Sequence, residues 1–209
     1  MSIAVKEPLF SVVIPAYNAE AFVCDTLDSV VSQTFTDYEI IVVDDGSTDG
    51  TYEKVNLWAE QHSTVKLKIV RQANKGIGGA RNTAIRHTNG VFAAFLDADD
   101  VWLEQKLEFI ANYIKANPSA DLICHDIWFQ SHKKGKKPMT FGPHTTYKDL
   151  LFKGNSISTS ATVVRRQKIL DVDGFSEDMR FNAVEDYDLW LRLARAGCRI
   201  EYLHEILSI

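Results

Sequence analysis

The sequence predicts an α/β fold, one domain with a mostly parallel central sheet flanked by helices. Three observations carry that expectation. Short apolar, β-branched runs alternate with stretches of helical periodicity through the first half of the chain. Most of those runs stop at polar or turn-forming residues. The hydrophobic fraction of 45% over 209 residues is enough for one sizeable core.

In chain order, Phe10 to Ile14 is the first apolar run and Pro15 ends it. Glu39 to Val43 is the second, ended by Asp44, Asp45 and Gly46. Lys66 to Val70 alternates polar and apolar residues, as a half-covered strand does. Val91 to Leu96 is a further run, ended by Asp97. Between them Val23, Leu27, Val30 and Val31 recur at helical spacing, as do Val55, Leu57, Trp58 and His62, less cleanly. Gly76 to His87 is rich in small residues and stops near Gly90. Trp102 to Asn117 puts Leu103, Leu107, Ile110 and Ile114 on one helix face, with Pro118 beyond its end. Strand and helix in series require crossover connections, hence parallel pairing. Ligands of such sheets sit at the carboxyl ends of the strands.

The second half reads differently. Asp121 to Cys124 forms a strand that Ile127 to Phe129 continues. Lys133 to Pro138 is a polar turn carrying four lysines. A solvated hairpin tip is the plain reading of that turn; contact with an anionic acceptor or a membrane surface is the alternative. Tyr187 to Ala196 is amphipathic, Gly197 can end it, and Arg199 to Leu203 closes the sheet. No repeat or linker divides the chain, so one domain over 1–209 is expected, with a ligand-binding half of about 1–100.

Lys and Arg number 23 against 28 Asp and Glu, a net charge of -5. That balance excludes a nucleic acid partner, which needs concentrated basic surface. The three cysteines, Cys24, Cys124 and Cys198, are scattered and form no CxxC pair, so neither a disulfide framework nor a zinc site is expected. No run approaches the roughly 20 apolar residues of a membrane span, and the start lacks a secretory segment. A cytoplasmic domain is expected, free to work at the inner face of a membrane.

The chemistry-bearing residues cluster at strand ends. Asp44 ends a buried strand, where it can accept hydrogen bonds from a base or ribose. Asp49 reads better as a turn or cap former. Asp97, Asp99 and Asp100 put three carboxylates in four residues directly after an apolar strand. Such a cluster repels itself unless donors or a cation compensate, and its oxygens suit Mg²⁺ or Mn²⁺. The competing reading, acids at the start of the following helix, weighs less for Asp99 than for Asp100. Lys75 and Arg81, on the glycine-rich stretch from Asn74 to Asn82, face either a nucleotide or solvent. Glu185 and Asp186 open the last helix, where acids favour the dipole; beside a metal–phosphate site they can instead supply a general base.

These segments together resemble the inverting glycosyltransferase family two. The matching stretches are Ser11 to Asn18, Ser32 to Phe35, Ile41 to Asp49, Asn74 to Gly76 with Ala80 to Asn82, Phe95 to Asp100, and Glu185 to Trp190. The resemblance implies the Rossmann-like GT-A fold and metal-dependent, inverting transfer from a nucleoside-diphosphate sugar, UDP-sugar favoured. It implies that Pro15, Ala16, Tyr17 and Asn18 line the nucleotide pocket and Asp44 binds the base. Lys75 and Arg81 would cover the nucleotide, Asp97 would contact ribose or sugar, and Asp99 would bind the metal. Asp186 would be the catalytic base, with Glu185 beside it. The acceptor would be a hydroxyl of a glycan or lipid-linked saccharide, held by a half of about 101–209, as in cell-surface polysaccharide synthesis.

Departures refine this. The Gln-x-x-Arg-Trp motif and membrane helices of processive synthases are missing, so one sugar per encounter is expected. Members of the family usually continue beyond a closing strand like this one, so the chain reads as a minimal or shortened catalytic domain. His204 lies where some GT-A enzymes place a late metal ligand, though a lone His is more often structural. The competing class is a nucleotide-sugar-binding or nucleotidyltransferase-like module. It would not need Glu185 and Asp186, and it usually carries a glycine-rich loop where Pro15 to Asn18 stand.

Overall fold

The computed structural model describes residues 7–131, 135–140, 142, 145–181 and 183–209. Among them the chain runs β1 (Phe10–Ala16), α1 (Val23–Val31), β2 (Tyr38–Asp44), α2 (Thr51–Gln61), β3 (Leu67–Arg71), α3 (Gly76–His87), β4 (Phe92–Phe95) and α4 (Lys106–Ala116). It continues through β5 (Leu122–Ser131), β6 (Gly135–Met139), α5 (Tyr147–Lys153), β7 (Thr162–Arg165), α6 (Arg166–Leu170), α7 (Glu185–Arg195) and β8 (Ile200–Ser208). Short 3-10 turns occupy Thr159–Ala161 and Met179–Phe181.

These strands form one sheet in the order β3-β2-β1-β4-β7-β5-β6, with β8 also paired to β5. β1, β2, β3 and β4 are mutually parallel where they pair, so their carboxyl ends share one edge. β7 runs antiparallel to both β4 and β5, and β8 parallel to β5. The sheet is thus parallel on one side and mixed on the other.

Both faces are covered, which is why the β1 and β2 runs are apolar without alternation. Val12, Ile14 and Val42 pack with Leu27 of α1, Trp58 of α2 and Leu107 and Ile110 of α4. Val13, Ile41 and Val43 pack on the other face with Ala80 and Ala84 of α3, Ile169 of α6 and Leu189, Trp190 and Leu193 of α7. Phe95, Phe175 and Trp190 meet edge to face at centroid separations of 5.3–6.3 Å.

Two expected boundaries shift for one reason. The helix predicted from Trp102 begins only at Lys106, and the closing strand predicted to end at Leu203 runs to Ser208. Val101 and Ile209 exchange backbone hydrogen bonds, and Leu103 N–H donates to the Leu207 carbonyl. That pairing holds residues 101–103 extended, away from helix. In the lysine turn, Lys133 and Lys134 lie outside the described residues; Lys136 and Lys137 are exposed on β6. All three cysteines are free thiols. Among the described residues no helix is long and apolar enough to cross a membrane.

Candidate functional site

A cleft of about 640 Å³ opens at the shared carboxyl edge of the parallel strands. Its floor comes from the end of β1 and the turn that follows, Pro15 to Ala19, with Phe22 beyond. Tyr17 is 52% exposed at its mouth. Asn18 adopts a left-handed conformation, φ 50°, which Asn tolerates better than most residues. Its Oδ1 accepts from Thr48 N–H at 2.8 Å, and Ser47 Oγ accepts from its own N–H at 3.0 Å. The turn after β1 is therefore tied to the turn after β2. Asp49 serves that same turn, accepting from Thr51 N–H and from the Glu20 backbone.

Of the two acids after β2, Asp45 lines the cleft and Asp44 does not. Asp44 is buried and pairs with its register partner Arg71 at 3.0 Å, while its other oxygen accepts from Ser47 N–H. Asp45 Oδ1 accepts from Gln72 Nε2 at 2.6 Å and from Lys75 N–H at 3.0 Å. Lys75 contributes that backbone group; its side chain is exposed and flanks a smaller crevice beside Glu177 and Asp178. The opening residues of α3, Gly76 and Ile77, form the adjoining wall.

The opposite wall is acidic. Asp97 and Asp99 follow β4 and line the cleft, as does Glu185 at the start of α7. Arg81 of α3 ties Asp97 to Glu185, although it neither faces solvent nor lines the cleft. It is 2% exposed, with Nη1 on Glu185 Oε1 and Nη2 on Asp97 Oδ1, both at 2.7 Å. Burial opposes its charge, but Asp97 and Glu185 more than compensate, and its pKa is raised. Glu185 Oε2 is buried without a hydrogen-bond partner among the described residues.

Asp186 stands beside Glu185 in the first turn of α7 but is not part of the cleft lining. Its Oδ1 accepts from Tyr187 N–H at 2.6 Å and its Oδ2 from the Thr159 hydroxyl at 3.0 Å. Three acids in that first turn meet the positive end of the helix dipole.

A buried polar layer lies behind the acidic wall. Ser160 Oγ accepts from Asp97 N–H at 3.0 Å. Its carbonyl accepts from Lys106 Nζ at 2.6 Å and Trp102 Nε1 at 3.1 Å. Asp100, hydrogen-bonded to the Ser160 side chain, is pushed up to about 6, chiefly by burial. Burial drives Lys106 well below the usual lysine range. His125, fully buried in β5, is likewise held well below 6.5, by burial first and the Lys106 charge second. His204 is exposed and set edge to face against Tyr202.

The structure thus brings Pro15, Ala16, Tyr17, Asn18, Asp97, Asp99 and Glu185 to one cleft. Asp44, Lys75, Arg81 and Asp186 stand behind or beside it. Asp45 is the lining acid that the sequence reading passed over. Strand parity was the available signal, because adjacent residues point to opposite sheet faces. The carboxylates of Asp97 and Asp99 are oxygen donors of the kind that hold Mg²⁺ or Mn²⁺. Among the described residues no group of three potential metal ligands forms. Such a donor set fits an ion that takes its remaining ligands from phosphate and water.

The model of the glycosyl transferase family 2 matches residues 11–174. A UDP-Glc:alpha-D-GlcNAc-diphosphoundecaprenol beta-1,3-glucosyltransferase, WfgD of Escherichia coli, is 36% identical over 188 residues, covering 90% of this chain and 70% of that protein. The amylovoran biosynthesis glycosyltransferase AmsB of Erwinia amylovora is 31% identical over 212 residues, covering 97% and 69%. The crystal structure of S. aureus TarS 1-349 in complex with UDP superposes with a TM-score of 0.78 at 25% identity. That match covers 95% of this chain, which spans 59% of the TarS chain.

Proposed function

Starting from the chain's membership of glycosyl transferase family 2, with the GT-A fold, we propose that it moves one sugar from a UDP-sugar to an acceptor hydroxyl with inversion. One observation carries the reading: the buried Arg81 guanidinium bonds at once to Asp97 after β4 and to Glu185 at the start of α7. It fixes the donor-side acids and the acids beside the acceptor in one rigid frame. The name of WfgD specifies UDP-glucose, and TarS was solved with UDP, which favours uridine. The acceptor we infer is a glycan or lipid-linked saccharide, held by residues of about 101–209, at the inner face of a membrane.

In this reading Tyr17 offers its ring to the base and Asp45 its remaining oxygen to the base N–H. Asp45 takes the role that the sequence assigned to Asp44. Asp97, held by Arg81, meets ribose or sugar hydroxyls. Asp99, with Asp97, would hold Mg²⁺ or Mn²⁺, which offsets the charge that develops on the departing diphosphate. Asp186 takes the proton of the acceptor hydroxyl as its oxygen attacks the anomeric carbon. The bond to the diphosphate breaks on the opposite face, so a single displacement inverts the configuration. Glu185, bound to Arg81, is the less available base of the two.

The test is calorimetric binding of UDP, GDP, CDP and dTDP with Mn²⁺, followed by UDP release from UDP-sugars. UDP alone should bind in a metal-dependent way, and Asp99→Ala should lose that binding. Asp186→Asn should keep it and lose turnover by about 10²–10⁴-fold, the usual worth of a positioned base. Normal turnover in Asp186→Asn would reassign the base. Absence of nucleotide binding would remove the donor assignment.

A further inference from the structure

We propose that Thr159 is a positioning residue of the transfer site, its hydroxyl setting the orientation of the Asp186 carboxylate. The proposal rests on Asp186 being the base. Thr159 lies in the stretch 141–160, where no motif is legible. It is 6% exposed, and its Oγ1 donates to Asp186 Oδ2 at 3.0 Å. With Tyr187 N–H on Oδ1, each carboxylate oxygen is held once. Each keeps a further lone pair, and one of these can receive the acceptor proton. A carboxylate pinned on both oxygens cannot rotate away from the attacking hydroxyl, which is what a near-attack geometry requires.

The hydroxyl is not used by the turn that carries it. Ala161 N–H closes that turn on the Ser158 carbonyl, and Thr162 Oγ1 bonds to the same carbonyl at 2.7 Å. Thr159 is therefore free to point at α7, and its β-branched side chain is stiff about χ1. The neighbouring Ser160 makes the corner rigid from behind. Lys106 and Trp102 hold its carbonyl, and its Oγ holds Asp97 N–H. Two consecutive residues thus fix the base against the donor-side loop, Thr159 through Asp186 and Ser160 through Asp97.

The experiment compares wild type with Thr159→Val, Thr159→Ser and Asp186→Asn. It measures UDP release from UDP-glucose onto a GlcNAc-terminated saccharide, with calorimetric UDP binding on each protein. Thr159→Val keeps the shape and loses the donor. Its kcat should fall on the order of tenfold to a hundredfold, as for misplacing a reacting group, with UDP affinity and donor KM within about twofold of wild type. Thr159→Ser should recover most of the turnover. Wild-type turnover in Thr159→Val, or equal losses of kcat and UDP affinity, would overturn the proposal. So would a Thr159→Ser variant as slow as Thr159→Val. If Asp186→Asn turns over normally, or wild type releases no UDP, the transfer reading itself fails, an outcome separate from a Thr159 result obtained beside an impaired Asp186→Asn.

Discussion

At the scale of single residues, Arg81 is where the site and the fold meet. A guanidinium this deeply buried is tolerated because two carboxylates neutralise it, and its planar fork reaches both at once. Replacing it by Met should leave Asp97 and Glu185 without their common partner. Breaking a buried charge cluster in this way costs about 3–5 kcal/mol. Urea unfolding of Arg81→Met should show a loss of that size, and a change under about 1 kcal/mol would mean that solvent already screens the cluster. The sequence showed Asp97 and Asp99 because a dense acid cluster after an apolar strand is hard to explain by folding alone. It left Arg81 open between nucleotide and solvent, since the partner that settles the matter, Glu185, is 104 residues away. Asp44 and Asp45 were confusable for a different reason. Asp44 ends β2 and Asp45 follows it, and the long-range pairing of Asp44 with Arg71 on β3 holds Asp44 away from the cleft that Asp45 lines.

At the scale of elements, the glycines of α3 answer to packing rather than to helix preference. A Cβ on Gly78 would lie 2.5 Å from the Ser176 carbonyl oxygen, which is backbone and cannot swing aside. Alanine is the better helix former by about 1 kcal/mol, which in an unobstructed helix would stabilise the variant. The clash should win: Gly78→Ala is expected to lose about 1–3 kcal/mol, the usual cost of overpacking. A gain in the urea midpoint would show that the Ser176 loop yields. The elements of the first half were legible because each is a local pattern, period 3.6 or a short apolar run. β7 was not. Its residues, Thr162–Arg165, are too few to show a pattern, and it is a strand only because β4 and β5 flank it. The start of α4 was misplaced for a similar reason, since the pairing of residues 101–103 with 207–209 overrides a good local helical pattern.

At the scale of the whole molecule, buried titratable groups set how stability responds to pH. His125 is neutral in the fold, with its pKa held well below the ordinary 6.5, and it returns to that value on unfolding. The stability it contributes is complete above pH 6.5. As pH falls below that point the unfolded chain takes up a proton that the folded chain refuses, and stability is lost at up to about 1.4 kcal/mol per pH unit. Unfolding in urea at pH 7, 6 and 5 should show this slope in wild type and a shallower one in His125→Leu. Equal slopes would assign the acid sensitivity to other groups.

The strip that joins residues 101–103 to 207–209 also gives the molecule a temporal order. Translation delivers the carboxylate loop of Asp97 to Asp100 early, and the backbone partners that fasten its far side emerge only with the last turns of the ribosome over this segment. The near side of that loop is fastened by residues made before it, the Thr26 hydroxyl donating to the Ala98 and Asp100 carbonyls. Residues 207–209, made later, close the far side of the loop by pairing with residues 101–103.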